Sequence, residues 1–261
     1  MIASFSLSLL LAWGLCSMIM TAVWWYQTRT RNAGIVDAWW SYNFFFTALL
    51  FAVIGSGDSL KKIICLVLVA LWSLRLGTHL LIRNTQHAEE DSRYKKLREE
   101  YGERERFLMW RFFIFQATSN VILSLPFLFA VNQTENEINL LWIAGLAVGL
   151  VALGGESLAD HQLKKFKAQP ENKGKVCRQG LWNYSRHPNY FFEWLMWVAF
   201  TLLALESKGG WLAISAPLIM YYILNHVTGI PMLEELAVKT KGDEYRKYQQ
   251  TTSSFFPWFK I

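Results

Sequence analysis

Apolar residues in this chain come in long runs, not in the alternation of a half-buried strand or the one-sided stripe of a surface helix. Seven runs stand out, at residues 4–26, 36–54, 62–82, 108–131, 139–158, 189–205 and 210–229. A hydrocarbon core about 30 Å thick takes on the order of 20 residues at 1.5 Å rise each, and only helices or closed barrels satisfy their backbone inside it. Runs of this length without period-2 alternation predict an all-α polytopic membrane protein with seven transmembrane helices. The first run has no basic leading segment and no small-residue cleavage site, so it reads as a span, not a removable signal.

The polar stretches between the runs fix an orientation. Arg29 and Arg31 follow the first run, seven basic residues from Arg83 to Arg106 follow the third, seven from Lys164 to Arg186 follow the fifth, and five lie in the tail. The intervening loops hold only Lys61, Lys62 and Lys208, so with Arg75 and Arg111 left aside the division is twenty-one to three. Basic residues stay on the cytoplasmic side, which predicts an external N-terminus and a cytoplasmic C-terminus. The stretch from His87 to Arg106, dense in Glu, Lys and Arg, reads as a cytoplasmic helix, and on charge pattern alone as a solvated one. No linker, low-complexity tract or internal repeat divides the chain, so residues 1–261 read as a single domain.

Composition agrees: 53% of residues are apolar and 16% aromatic. The net charge of +6 follows from the basic loops, which removes the reason to invoke nucleic acid. Cys16, Cys65 and Cys177 imply no disulfide framework, and His79, His87, His161, His187 and His226 have no ligand-like spacing, so no metal is expected. The partners this leaves are membrane lipids and small molecules.

Ionisable groups inside a bilayer are costly, so those within the runs are candidate functional residues. Asp37 opens the second run. Arg75, His79 and Arg83 are spaced one helical turn apart on the third, and Glu156 and Asp160 are so spaced at the end of the fifth. Glu193 sits one turn into the sixth. All but Arg75 lie towards cytoplasmic ends, a placement suited to a charged cofactor entering from the cytoplasm and an apolar substrate entering from lipid. Plainer roles exist for each: a helix cap for Asp37, an interhelical ion pair for Arg75 with Glu193 or Glu156, an interfacial anchor for Arg83.

The most informative stretch is Gly180–Glu193, GLWNYSRHPNYFFE, a polar cluster directly before a run. Pro188 suits the first turn of a helix, where its missing N–H costs nothing. The open N–H groups of that turn, beside Arg186, His187 and Asn189, make an anion-friendly place for phosphate or carboxylate. Lys164, Lys167 and Arg178 in the preceding loop add the positive charge that a pyrophosphate and a 2′-phosphate demand.

Together with RNAGIVDAWW (31–40), LRLGTHLLIRN (74–84), EEDSRYKKLRE (89–99), ADHQLKKFK (159–167), TGIPMLEE (228–235) and EYRKYQQTTSSFFPWF (244–259), this stretch resembles the bacterial membrane proteins grouped with the steroid 5α-reductases. The resemblance implies a seven-helix protein of the bacterial inner membrane that uses NADPH to reduce the C=C bond of an α,β-unsaturated ketone. Carried over by position, Glu156 and Asp160 lie near the adenine and ribose, and Lys164 and Lys167 near the phosphates. Asn189 and Glu193 hold the nicotinamide amide, which needs both a donor and an acceptor. Arg75, His79, Arg83, Arg178, Tyr184, Arg186, His187, Tyr190, Glu234 and Tyr245 complete the cofactor-facing set. Asp37 matches a substrate-facing Glu and, if protonated, would polarise the carbonyl. Trp72 falls where the reductases pair that acid with a Tyr. Glu156 replaces an Asn and Phe192 a Gly, and these departures, with Trp72, point to an enone lipid or other apolar ketone as readily as to a steroid. The competing reading is an S-adenosylmethionine-dependent methyltransferase of the isoprenylcysteine type, which shares the Arg-His-Pro-x-Tyr element; the basic groups suited to NADPH's phosphates weigh against it. A transporter would show broken helices or paired ionisable groups at mid-membrane.

Overall fold

The computed structural model describes residues 2–86 and 89–258, and the regular elements among them are all helical. His87, where the charged helix was expected to begin, Phe259 of the closing motif and Lys260 of the basic tail lie outside the described residues. The chain packs as two compact units: one runs to Glu137 and includes Ala204–Leu212, the other comprises Ile138–Leu203 and the residues from Ala213 onward.

The first unit holds α1 (Ile2–Thr30), α2 (Ile35–Ile54), α3 (Ser59–Gln86), α4 (Ser92–Tyr101), α5 (Glu105–Leu123) and α6 (Leu125–Ala130). Central α2 packs against α1, α3 and α5. Phe44, fully buried on α2, meets the rings of Trp40, Trp72 and Phe127 at centroid distances of 4.8, 5.4 and 6.1 Å. Several polar residues within this core pair with one another or with backbone, as a low-dielectric interior favours. Asn43 donates to Asn120 Oδ1 at 3.1 Å, Asn120 donates to the Trp40 carbonyl at 2.8 Å, and Ser41 donates to the Ser73 carbonyl at 2.8 Å. Gly77 allows α3 to approach α2 closely: a Cβ there would fall 2.4 Å from the Tyr42 ring. The expected fourth span is interrupted, because Pro126 lacks an N–H and its ring blocks a continuous helix; α5 stops at Leu123 and α6 restarts at Leu125.

The second unit holds α7 (Leu140–Lys167), α8 (Pro188–Ala204), α9 (Ser215–Tyr222), α10 (Ile230–Lys241) and α11 (Asp243–Thr251). Asn139 caps α7, its side chain accepting from the Trp142 N–H at 3.1 Å. Small residues bring α7 against α8: Gly145 faces Leu203, and Gly155 faces Phe192. The expected seventh span also breaks up. A 3₁₀ turn (Gly210–Ile214) leads into α9, a π-turn (Ile223–Val227) follows, and the chain bends at Gly229 before α10.

Five segments are helical, long and apolar enough to cross a membrane: Phe5–Thr30, Ser59–Thr85, Ser92–Ala130, Leu140–Lys167 and Gly210–Lys241. Leu7, Leu10 and Met18 on α1, and Leu140, Ile143, Leu150 and Val151 on α7, present large apolar side chains outward, as lipid-facing helices do. These are the helices of an integral membrane protein. Two expected spans are absent from the five. The 17 residues of α8 reach only about 25 Å, and α2 carries Asp37, Ser41, Asn43 and Thr47 along its 20 residues.

Candidate functional site

In the first unit the chemistry gathers where α4 meets the start of α2. Asp37 lies in the first turn of α2, where the helix dipole favours a carboxylate. Its Oδ2 accepts from Arg93 Nη2 at 2.8 Å and its Oδ1 from the Tyr94 hydroxyl at 2.5 Å. Arg93 is held in turn by Asp91, which accepts from its Nε at 3.0 Å and its Nη2 at 2.9 Å. Asp91 also caps α4 by accepting from the Arg93 backbone N–H. Burial alone would raise the Asp91 carboxyl, but the hydrogen bonds and charge of Arg93 prevail and hold it below the usual carboxylate range. Tyr94 is 4% exposed, with its ring beside Phe112.

One turn further along α4, Arg98 fastens the helix. It donates to both oxygens of Glu90 at 2.9–3.1 Å, to Gln27 Oε1 at 2.6 Å and to Glu105, while Glu90 accepts from the Ala33 N–H at 2.6 Å. Residues four apart share a face, so the clamp at Arg98 sets the position of Tyr94.

In the second unit Glu234 on α10 is a hub. It accepts from Arg186 Nε at 2.6 Å and Nη2 at 3.0 Å, His187 Nε2 at 3.1 Å, Gln249 Nε2 at 2.8 Å and the Tyr245 hydroxyl at 3.4 Å. The remaining Arg186 nitrogen, Nη1, donates to the Gln249 and Thr252 carbonyls at 3.0 and 2.5 Å. The Arg186 N–H donates to the Ser253 carbonyl at 2.8 Å, and the Ser185 hydroxyl to that of Phe255 at 2.8 Å. The Arg-His-Pro segment is thereby laced to the C-terminal strand of chain. Pro188 opens α8 as expected. Glu193, 6% exposed, accepts from Trp197 Nε1 at 3.3 Å.

Several expected residues come together and others do not. Arg186, His187, Glu234 and Tyr245 form one cluster, but the guanidinium of Arg186 is fully engaged by protein acceptors, which makes it an organiser of the segment. Glu156, buried, and Asp160, half-buried, share a face of α7, and Asn189 and Tyr190 lie half-buried in the first turn of α8. Tyr190 stacks on His187 at 5.9 Å. Lys164, Lys167 and Tyr184 are exposed. Arg178 lies over the Tyr248 ring and donates to the Glu244 carbonyl at 3.0 Å. In the first unit Arg75 and His79 are half-buried on α3 and Arg83 is exposed. Trp72 is fully buried against Phe44, two turns beyond Asp37 and so about 10 Å deeper along α2. Trp72, which falls where the reductases carry a Tyr, offers no hydroxyl; the one that meets Asp37 belongs to Tyr94. Both Asp37 oxygens accept in this arrangement. Sequence reading passed over Tyr94 and Arg93, although a lone aromatic in the charged stretch 89–100 was a signal, since only a packed face calls for one there.

Comparison with known proteins gives a family and nothing narrower. The family model described as protein of unknown function (DUF1295) matches residues 23–252, a range that contains both clusters. No curated protein matches the chain. No solved structure matches it either. The match over most of its length makes this chain a member of the DUF1295 family, membrane proteins of unknown function.

Proposed function

We propose that this protein is an NADPH-dependent reductase of the C=C bond in an α,β-unsaturated ketone, the activity of steroid 5α-reductases, acting on an apolar substrate drawn from the bilayer. The observation that carries the reading is the Asp37–Tyr94–Arg93 cluster. Here Asp37 accepts the single Tyr94 O–H; with a substrate carbonyl beside it that proton would turn to the carbonyl oxygen, on which negative charge develops, while Arg93 keeps the carboxylate in place. Tyr94 is then the group that touches the carbonyl, and Asp37 and Arg93 position it.

NADPH would supply the hydride to the β-carbon, and a proton completes the reduction at the α-carbon. The donor set of the second unit fits a nicotinamide nucleotide in kind. Asn189 offers both a donor and an acceptor, Glu193 is a buried carboxylate one turn away, and Lys164 and Lys167 are exposed cations beside Asp160. Arg186, His187, Tyr245 and Glu234 hold the segment that leads into α8, whose first turn carries Asn189. The basic loops support a seven-span arrangement with α2 as the second and α8 as the sixth crossing element, the N-terminus external and the cofactor side cytoplasmic, in a bacterial inner membrane.

The test is thermal unfolding of the detergent-purified protein with NADPH, NADH or S-adenosylmethionine, because a ligand that binds only the folded state raises the melting temperature. Stabilisation by NADPH that Glu193→Ala abolishes, in a variant with an unchanged ligand-free melt, is the expected result. Stabilisation by S-adenosylmethionine alone would replace the reductase with a methyltransferase.

A further inference from the structure

The second unit contains an open cleft of about 490 Å³ at the end of α7. Four lysines line it: Lys167 from α7, Lys173 and Lys175 from the loop that follows, and Lys241 from the end of α10. Leu163 and Phe166 form its apolar wall. Lys167 and Lys241 are close enough to repel one another. Two acidic side chains adjoin them, Glu171 beside the cleft in sequence and Glu244, whose Oε1 is engaged by the Val176 N–H at 3.0 Å.

A helix C-terminus attracts cations, but its dipole is worth roughly half a negative charge. Four lysines around one cleft are more positive charge than that dipole draws. Lysines that line one cleft can turn their ammonium groups onto a shared anion, and a phosphomonoester carries about 1.5–2 negative charges at neutral pH. The position along α7 separates the two sources of phosphate. If the apolar stretch from Leu140 to Leu158 fills the hydrocarbon core, Lys167 lies about 13 Å beyond it, whereas the headgroup layer adds only about 5–8 Å per leaflet. The cleft therefore opens to water rather than to lipid headgroups.

We propose that this cleft binds a phosphomonoester of a soluble ligand, and, resting on the reductase reading, that this group is the 2′-phosphate that distinguishes NADPH from NADH. Lys173, Lys175 and Lys241 are then specificity-determining residues together with Lys167. The half-buried stem of Lys241 and the wall of Leu163 and Phe166 suit the adenosine face next to that phosphate.

The experiment is calorimetric titration of the full-length protein in detergent with 2′,5′-ADP, 5′-AMP, NADPH and NADH. It compares the wild type with Lys167→Gln/Lys241→Gln and with Lys165→Gln/Lys247→Gln, which removes the same charge from exposed positions outside the cleft. We expect 2′,5′-ADP to bind the wild type, to weaken at least ten-fold in the cleft variant and to change little in the control. Lys167→Arg/Lys241→Arg should restore binding. Equal weakening in both glutamine variants, or none in either, overturns the inference. So does displacement of 2′,5′-ADP by phosphatidylglycerol, which would assign the cleft to lipid. If 2′,5′-ADP binding depends on the cleft while neither NADPH nor NADH binds, the reductase reading fails and the phosphate site stands. If NADPH binds without regard to these lysines, the site fails and the reading stands.

Discussion

Tyr94 shows how little a single side chain reveals until its neighbours are known. In the sequence it is one aromatic among twelve largely charged residues; in the fold it is buried, with its hydroxyl on Asp37 and its helix locked by Arg98. Tyr94→Phe removes one oxygen and leaves the ring packed on Phe112. Under the proposed mechanism, turnover of an enone, followed as NADPH oxidation, falls by about 10²–10⁴-fold with NADPH affinity unchanged, the range typical of a lost proton donor. Retention of turnover would reduce the cluster to a structural clamp. Asp37→Asn tests the positioning role: it keeps an acceptor for Tyr94 but loses the charge that holds Arg93, so turnover falls less than in Tyr94→Phe, with kcat affected before KM. Charged residues such as Glu90, Asp91, Arg93 and Arg98 could be read as polar from the sequence, but their partners lie up to 71 positions away, as Gln27 does from Arg98, and no local pattern reports that.

Among the elements, α11 and the α7–α8 contact make the clearest predictions. Tyr245 and Tyr248 on α11 are buried, and burial first, then neighbouring negative charge or phenol, pushes both hydroxyls above the usual tyrosine range. A phenol whose folded pKa is raised favours folding while it is neutral. That contribution is full below the unfolded value near 10 and is lost as pH climbs from there through the raised folded value. Ultraviolet titration should therefore show these two tyrosines ionising after the exposed ones, and the melting temperature should begin to fall above about pH 10; Tyr245→Phe/Tyr248→Phe should flatten that alkaline limb. At the other contact, a Cβ on Gly155 would fall 2.4 Å from the Phe192 ring. Gly155→Ala should cost about 1–3 kcal/mol as overpacking, and Gly155→Ala/Phe192→Ala should recover part of it, a coupling that a double-mutant thermal melt detects. Here the departure at position 192 acquires a physical sense: a ring on α8 fills the space left by a glycine on α7.

For the molecule as a whole, membrane insertion and its direction are the properties to test. All three cysteines are buried, and burial raises the Cys177 thiol, so the native chain should react slowly with an impermeant maleimide. Glu135→Cys should label in intact cells and Lys247→Cys only after the membrane is opened; the reverse pattern would invert the proposed topology. The membrane class, the helical content and the position of α8 behind Pro188 could be read from the chain alone, because hydrophobic run length and proline chemistry act locally. The breaks at Ser124 and Gly229 were less legible, because each depends on where packing and hydrogen bonding let a helix stop. The sequence by itself determined that this is a helical membrane protein with its positive charge segregated between loops, since both follow from the cost of placing polar groups in hydrocarbon. Only the tertiary structure decided that Asp37 pairs with Tyr94 rather than Trp72, that Arg186 serves Glu234, and that four lysines line one cleft. Such partnerships join residues remote in sequence, and it is packing, not local pattern, that selects among them.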